Sequence, residues 1–478
     1  MSTRRSREVV WLALAAALVV SGCVTPPAPT RPEATVPARW QSTAVLSRTL
    51  ADVSYGALVE DTLLESLVKE ALEYNSDLRI ATERVALARA QYAATDSSRY
   101  PTIAGGAQYT RQRSPGADPN RNDTSGLGQL AISLPAWEID VWGRLASLAE
   151  ADRQRYLSSE ATQRAIAIAL IGSVGESYVQ LVTLDDQLVI SYRTLESRQR
   201  ALRIVAARHR GGVASGLDLR QAEILVENAR QVIADLELQR SLAENALSIL
   251  VGRNPGPVDR AGAFRQRALP PELPAGLPSE LIERRPDILA ASETLRAADL
   301  DVDAARKAFL PTISLTGLVG FVSPELRDIL RGSRFAWSAT PAISVPIFTG
   351  GLLEANVEGT EASRRLAVEQ YRKAVRDAFR EVEDALVSYQ RDREQRDVLA
   401  RNVALNRERL RLTELRYLNG FSSYFEVTQA QQDLFEAELA LSRITSAAYA
   451  AVIQLYRALG GGLAEGSLAI SSTTPSTP

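Results

Sequence analysis

Few side chains here are able to do chemistry, and their spacing limits what they can do. The 478 residues hold one His and one Cys. His209 stands between Arg208 and Arg210, just before Gly211-Gly212, and reads as a solvated residue at a helix end. A lone imidazole builds neither a metal cluster nor a catalytic relay. The 57 Asp and Glu leave carboxylate chemistry open, but solvated helices need such residues too. No phosphate-binding loop, dinucleotide fingerprint or zinc spacing is present, so neither an enzyme nor a cofactor is expected. Two polar groupings remain. One surrounds the turn Gly212-Val213-Ala214-Ser215 and continues to Asp218 and Gln221. The other runs from Arg416 and Tyr417 through Gly420-Phe421-Ser422-Ser423 to Glu426 and Gln429. An acid early in a helix favours its positive end by about 0.3–1 kcal/mol. Gly212 and Gly420 suit the positive φ that ends a helix.

Cys23 belongs to a different pattern. Arg4, Arg5 and Arg7 precede an apolar stretch, Val9 to Val20, of 12 residues, too short to span a bilayer. Small residues, Ser21 and Gly22, then lead to Cys23. This is the layout of a secretory signal peptide over 1–22. Its end resembles the lipobox of bacterial lipoproteins, which implies cleavage before Cys23 and lipidation of its thiol. Two or three acyl chains anchor stably where one does not. The residue after the Cys is Val24 rather than Asp, which in lipoproteins points to the outer membrane. Residues 23–57 read as an acylated, Pro-rich tether.

The formal charge of −2 gives no basic stripe of the kind a nucleic-acid protein shows. Beyond the N-terminal segment no run of 18 apolar residues appears, so no transmembrane helix is expected in the mature chain.

The chain reads as a duplication. Asn75-Ser76-Asp77-Leu78 parallels Arg285-Pro286-Asp287-Ile288, and Tyr100-Pro101-Thr102-Ile103 parallels Leu310-Pro311-Thr312-Ile313. Ser133-Leu134-Pro135 parallels Ser344-Val345-Pro346, and the two Gly turns match each other. The first repeat covers 58–252, a Pro-rich linker 253–278, the second repeat 279–462, and a disordered tail 463–478. Each repeat is expected to run as a medium helix, two strands, a very long helix, a tight turn and a medium helix.

The expected helices are 287–308, 354–418 and 425–459 in the second half and a long one over roughly 144–210 in the first. At 1.5 Å per residue the long helices reach about 100 Å. They need partners along that length. Leu181, Leu188, Leu195 and Leu202 step by seven, and Val375, Phe379, Val382, Leu386 and Tyr389 alternate steps of four and three. These are coiled-coil seams. Four segments alternate with period two, around Ile103–Tyr109, Leu130–Leu134, Ile313–Phe321 and Trp337–Val345. At about nine to eleven residues each they suit tilted transmembrane strands. The intervening stretches 111–126 and 322–335 read as external loops, and Trp137, Trp142 and Trp337 as an aromatic girdle. Four strands cannot close a barrel and open edges are not tolerated in lipid, so several chains must share one barrel.

With these features in place the sequence resembles the TolC-type outer membrane efflux proteins, in their OprM-like lipoprotein branch, over about 58–462. The carriers are the duplicated layout, the stretch Trp137-Glu138-Ile139-Asp140-Val141-Trp142-Gly143-Arg144, the repeated Pro-Thr-Ile and the two turns. The resemblance implies a mainly α fold: a long coiled-coil α-helical barrel plus a β-barrel shared between the subunits of a homotrimer. It implies an outer-membrane channel with a periplasmic helical extension. The channel would export small molecules passively, with a periplasmic adaptor docked at the two turns and an inner-membrane pump of the resistance–nodulation–division type. The residues assigned to a periplasmic gate are Asp218, Gln221, Arg416, Tyr417, Glu426 and Gln429. Three-fold symmetry would set up to three copies of each acid around a narrow pore, selecting cations. The family often carries acids where Gln221 and Gln429 stand here. Alternative readings are a duct for protein or peptide secretion and a lipid-anchored coiled-coil spacer.

Overall fold

The computed structural model of the chain describes Trp40 and residues 61–115, 122–260, 273, 275–276, 278–325, 328–330 and 334–461. The signal peptide, Cys23, all of the tether except Trp40, and the tail over 463–478 lie outside the described residues, as does most of the linker.

The elements follow the duplication. The first half holds α1 (Thr62–Tyr74), α2 (Ser76–Ser97), β1 (Ala104–Pro115), β2 (Asn122–Ile139), α3 (Arg144–Arg210) and α4 (Gly216–Val251). The second holds α5 (Pro278–Arg284), α6 (Pro286–Lys307), β3 (Thr312–Ser323), β4 (Phe335–Ser344), α7 (Leu352–Leu418) and α8 (Tyr424–Ala458). Each half therefore opens on a pair of helices rather than one. The break falls at Asn75 and before Pro286, and the equivalent residues Asn75 and Arg285 do equivalent work. The Asn75 amide donates to the Leu250 carbonyl at 2.9 Å, and the Arg285 guanidinium donates to the Ala458 carbonyl at 2.9 Å. Both reach the C-terminal end of the last helix of their repeat, where orphan carbonyls need donors. Arg285 also pairs with Asp287 at 2.6 Å and Glu381 at 2.8 Å.

The described residues fall into two compact units, and each repeat contributes to both. The first unit comprises 87–158 and 291–372. It contains one antiparallel four-stranded sheet in the order β1-β2-β3-β4. The strands are longer than their alternating cores: residues 111–115 and 122–126, expected in a loop, pair as strand, Arg111 opposite Gly126 and Gln112 opposite Ser125. β2 likewise continues past Pro135. The register shifts between Leu134 and Trp137, where Ala136 takes a φ of 29°, and pairing resumes with Trp137 opposite Leu315. This is a β-bulge, which absorbs a residue that cannot donate.

The junction after β2 explains the Trp-rich stretch. Both Asp140 carboxylate oxygens accept from the first turn of α3, at 3.1 Å from the Leu145 N–H and 2.7 Å from that of Ala146. Arg144 donates through two nitrogens to Glu138, at 3.2 and 2.7 Å. The Trp142 indole donates to the Pro311 carbonyl at 2.7 Å, and Lys307 reaches the Gly143 carbonyl and the Ser147 hydroxyl. Trp142 is thus a peg in the strand-to-helix joint. Trp137 donates to the Arg99 carbonyl at 3.1 Å, while Trp337 is 72% exposed. Leu295 and Ala298 of α6 pack on Ala367 of α7.

The second unit comprises Trp40, 61–86, 159–290 and 373–461 among the described residues. Its core consists of seams. Leu181 and Leu188 are buried, with Leu195 and Leu202 partly so. Val375, Val382, Leu386 and Tyr389 are buried on α7, and Phe379 packs against Trp40, ring centroids 5.9 Å apart. α3 contains a stretch long and apolar enough to cross a membrane, but most of it is buried inside the chain. Its apolar character belongs to a packed seam.

Candidate functional site

The two turns, both in the second unit, are built alike. At the end of α3 the Gly212 N–H donates to the His209 carbonyl at 3.0 Å and the Val213 N–H to that of Arg208 at 2.9 Å. At the end of α7 the Gly420 N–H donates to Tyr417 at 3.0 Å and the Phe421 N–H to Arg416 at 2.9 Å. These are Schellman caps. They need a left-handed residue, and φ is 76° at Gly212 and 79° at Gly420. His209 Nδ1 lies 3.0 Å from the Ala214 carbonyl. A carbonyl only accepts, so this nitrogen carries a proton and the imidazole braces its own turn.

Ser215 and Ser423 then start α4 and α8. Ser215 forms a reciprocal capping box with Asp218, while Ser423 makes no side-chain cap. Val213 and Phe421 project from the two tips, Phe421 at 78% exposure. Arg416 is exposed, its guanidinium 3.5 Å from the Phe421 carbonyl. The Gln429 amide donates to Asp433 at 2.7 Å, one turn on. The Gln221 amide oxygen is buried without a hydrogen bond.

Beneath the turns the four long and medium helices meet. Val205, Ala222, Tyr417, Tyr424 and Val427 form one buried cluster. The Tyr417 and Tyr424 rings lie 5.1 Å apart, and the Arg208 guanidinium sits 4.8 Å from the centre of the Tyr417 ring, a cation–π distance. Burial raises both phenols, Tyr424 to about 12. Tyr417, read as a gate residue, is thus part of the packing within one chain, and Asp218 is tied to its own helix. Glu426 and Arg416 remain at the surface or partly so.

A second polar grouping lies further along the same helices, and the sequence reading missed it. Glu438 on α8 is buried and takes Arg193 of α3 at 2.6 Å and Arg407 of α7 at 2.9 Å. Arg198 of α3 is buried nearby, bonded to the Leu225 carbonyl at 2.8 Å and the Gln432 side-chain oxygen at 2.9 Å. A signal was present. Leu184, Ser191, Arg198 and Val205 step by seven beside the leucine series, and all four are buried. Arg198 is a charge in a seam position. Among the described residues no group of three or more His, Cys, Asp or Glu could hold a metal ion.

Residues 67–253 and 277–461 match the sequence model of the outer membrane efflux protein family, one match in each repeat. The chain is 36% identical over 460 residues to the outer membrane protein OprJ of Pseudomonas aeruginosa, covering 95% of this chain and 96% of that protein. It is 34% identical over 453 residues to the cation efflux system protein CusC of Escherichia coli, covering 93% and 97%. The open-state crystal structure of the MtrE outer membrane channel of Neisseria gonorrhoeae superposes with a TM-score of 0.84 at 31% identity, covering 92% of this chain and 99% of that one.

Proposed function

The chain belongs to the outer membrane efflux protein family, and we propose that it acts as the homotrimeric exit duct of a tripartite pump for small molecules. It is an outer-membrane efflux channel with the TolC-type fold, and it is a transport protein rather than an enzyme. The observation that carries the trimer is the sheet. β1 and β4 each have one partner within the chain, and β4 exposes Phe335, Trp337 and Ile343. Unpaired strand edges cannot remain in lipid, so β4 of one copy pairs with β1 of the next. Three copies give a barrel of about twelve strands, within the usual range for such barrels.

Further features complete the reading. Cys23 carries the acyl anchor that holds the assembly in the outer-membrane leaflet. The turns at Gly212–Ser215 and Gly420–Ser423 dock a periplasmic adaptor, which links the duct to an inner-membrane pump of the resistance–nodulation–division type. Phe421 is an apolar side chain that only a partner would bury. Glu426 and Arg416, with Asp218, Gln221, Tyr417 and Gln429 behind them, line or support a narrow resting tip. Likeness to proteins named for efflux of antibiotics, solvents and cations supports small cargo over secreted polypeptides.

Native mass measurement of the detergent-extracted protein, with single-channel recording in planar bilayers, tests the duct. A trimer that conducts ions is expected, and a folded monodisperse monomer would overturn it. Palmitate labelling of the unaltered protein and of Cys23→Ala tests the anchor, since label persisting on the variant contradicts it.

A further inference from the structure

Residues directly opposite one another in an antiparallel sheet share a face. Leu130 and Ile132 of β2 stand opposite Phe321 and Val319 of β3, and these stand opposite Phe335 and Trp337 of β4. The reverse face carries Gln129, Ser133, Thr316, Ser338 and Thr340. In a barrel with a wet interior the first of these faces meets lipid. Its apolar band runs from Ile313 to Phe321 on β3, about 26 Å at 3.3 Å per residue, the scale of a lipid-facing band. β1 departs from this pattern at one end. Gly105 and Ala107 continue the apolar face and Tyr109 follows, but next come Arg111 and Arg113, opposite Gly126 and Thr124. Both arginines are exposed, and neither joins an ion pair among the described residues.

No carboxylate stands on this face in any of the four strands. Closing the barrel does not supply one. A one-residue slip turns every side chain over, so the lipid faces of neighbouring copies stay together only in registers of one parity. Within β4 every such register sets the arginines beside the series Phe335, Trp337, Ala339, Pro341 and Ile343 of the partner subunit, which holds no acid. Tyr109 fixes their level. A Cβ at Gly126 would meet the Tyr109 hydroxyl at 2.8 Å, and one at Gly128 would meet its ring at 3.5 Å. The ring thus lies over two glycines with its hydroxyl at the rung of Arg111. A side chain with an apolar body and a polar tip suits the level where hydrocarbon gives way to headgroups. Arg111 lies about 7 Å and Arg113 about 13 Å beyond Tyr109 along the strand. That direction leads to the β1–β2 hairpin and away from the helices that flank it in sequence. With the helical extension in the periplasm, it is the outer leaflet.

We infer that Arg111 and Arg113 bind a phosphate monoester on the headgroup of an outer-leaflet glycolipid. The planar guanidinium matches phosphate oxygens with paired N–H bonds. A monoester carries close to two charges and three accepting oxygens, enough for both arginines, which stand about 7 Å apart along the strand. A phosphodiester carries one charge and serves the pair less well. The arginine stems lie along the apolar face while their heads reach the phosphate. The acyl chains of the same lipid cover the band below Tyr109. The site presupposes the outer-membrane barrel of the proposed duct and is separate from the two turns.

The experiment is native mass measurement of the purified full-length protein in detergent, titrated with a phosphorylated glucosamine glycolipid (lipid A) and separately with the same lipid after enzymatic removal of its phosphates. Saturable binding of the phosphorylated lipid is expected. Arg111→Gln with Arg113→Gln should weaken it about thirtyfold, at about 1 kcal/mol for each arginine near a charged surface, down to the level of the dephosphorylated lipid. Arg111→Gln with Gln112→Arg keeps the net charge but moves one guanidinium to the opposite face, and should weaken binding about fivefold. Should the first variant fail to assemble, the second decides alone. Equal binding of the two lipids, parent affinity in either variant, or displacement of the lipid by millimolar inorganic phosphate at constant ionic strength each overturns the proposal. A parent protein that is monomeric overturns the shared barrel and this site with it, whereas a trimer that takes up no phosphorylated lipid overturns the site alone.

Discussion

The Ser215 backbone N–H donates to the Asp218 carboxylate at 3.0 Å, and the Asp218 N–H donates back to the Ser215 hydroxyl at 3.1 Å. This closed ring commits Asp218 to the start of α4. The equivalent serine at the second turn makes no side-chain cap, so Glu426 is not engaged in the same way. The two acids should therefore separate in function. Glu426→Ala is expected to lower cation selectivity in single-channel recordings, while Asp218→Ala leaves selectivity nearly unchanged. Asp218→Ala should instead cost about 1 kcal/mol of stability, the usual size of a lost cap, in thermal melts. Equal loss of selectivity in both variants would put both acids on the pore.

The Tyr417–Tyr424 pair predicts a response to alkali. Burial, then the neighbouring Tyr417 and Glu414, push the Tyr424 phenol from 10.0 up to about 12. A folded-state value above the unfolded one means that folding favours the protonated phenol. That stability is fully present below about pH 10 and is lost as pH rises towards 12. Tyr424→Phe removes the titrating group and keeps the ring. We expect the variant to retain helical circular dichroism further into this window than the parent. Identical alkaline transitions would show that Tyr424 does not govern them.

Much of this architecture was legible because long helices state their period many times over. The leucine series on α3 and the mixed series on α7 each repeat often enough to mark a buried seam. Gly212 and Gly420 mark helix ends because few other residues take positive φ. What stayed hidden depends on contacts remote in sequence. Pro135 looks like a strand end, since it cannot donate to a ladder, yet the bulge at Ala136 lets β2 resume against Leu315. The duties of Asp140 and Trp142 rest on bonds to the first turn of α3 and to Pro311, which a string of residue types does not reveal. Arg198 occupies a seam position in plain view. Its environment becomes visible only when Gln432 and Phe435 of α8 are placed beside it.

The strand-to-helix joint can be tested on its own. Asp140 meets two of the N–H groups that a helix start leaves unpaired. Asp140→Ala should lower stability by about 1–2 kcal/mol, at the upper end for a single cap. Asp140→Asn keeps one accepting oxygen and should cost less. The measurement is the temperature at which the detergent-solubilised assembly dissociates on a gel. If the two variants dissociate together with the parent, the cap does not limit the joint.

Phe421 gives the sharpest test of adaptor docking. Its side chain is exposed at a turn whose backbone is already satisfied by the Schellman bonds to Arg416 and Tyr417. The fold therefore has no use for an apolar group there, and removing it should not disturb the cap. A carboxylate at that position would have to lose its hydration to enter an interface, which is costly without a paired cation. We expect Phe421→Asp to abolish efflux in cells while leaving the trimer, its outer-membrane location and its single-channel conductance unchanged. Val213 occupies the matching place on the first turn, exposed like Phe421 but smaller. Val213→Asp should weaken efflux less, because less apolar area is withdrawn from the contact at roughly 25 cal/mol per Å². Efflux at the parent level in both variants, with normal assembly, would remove the turns as the docking site.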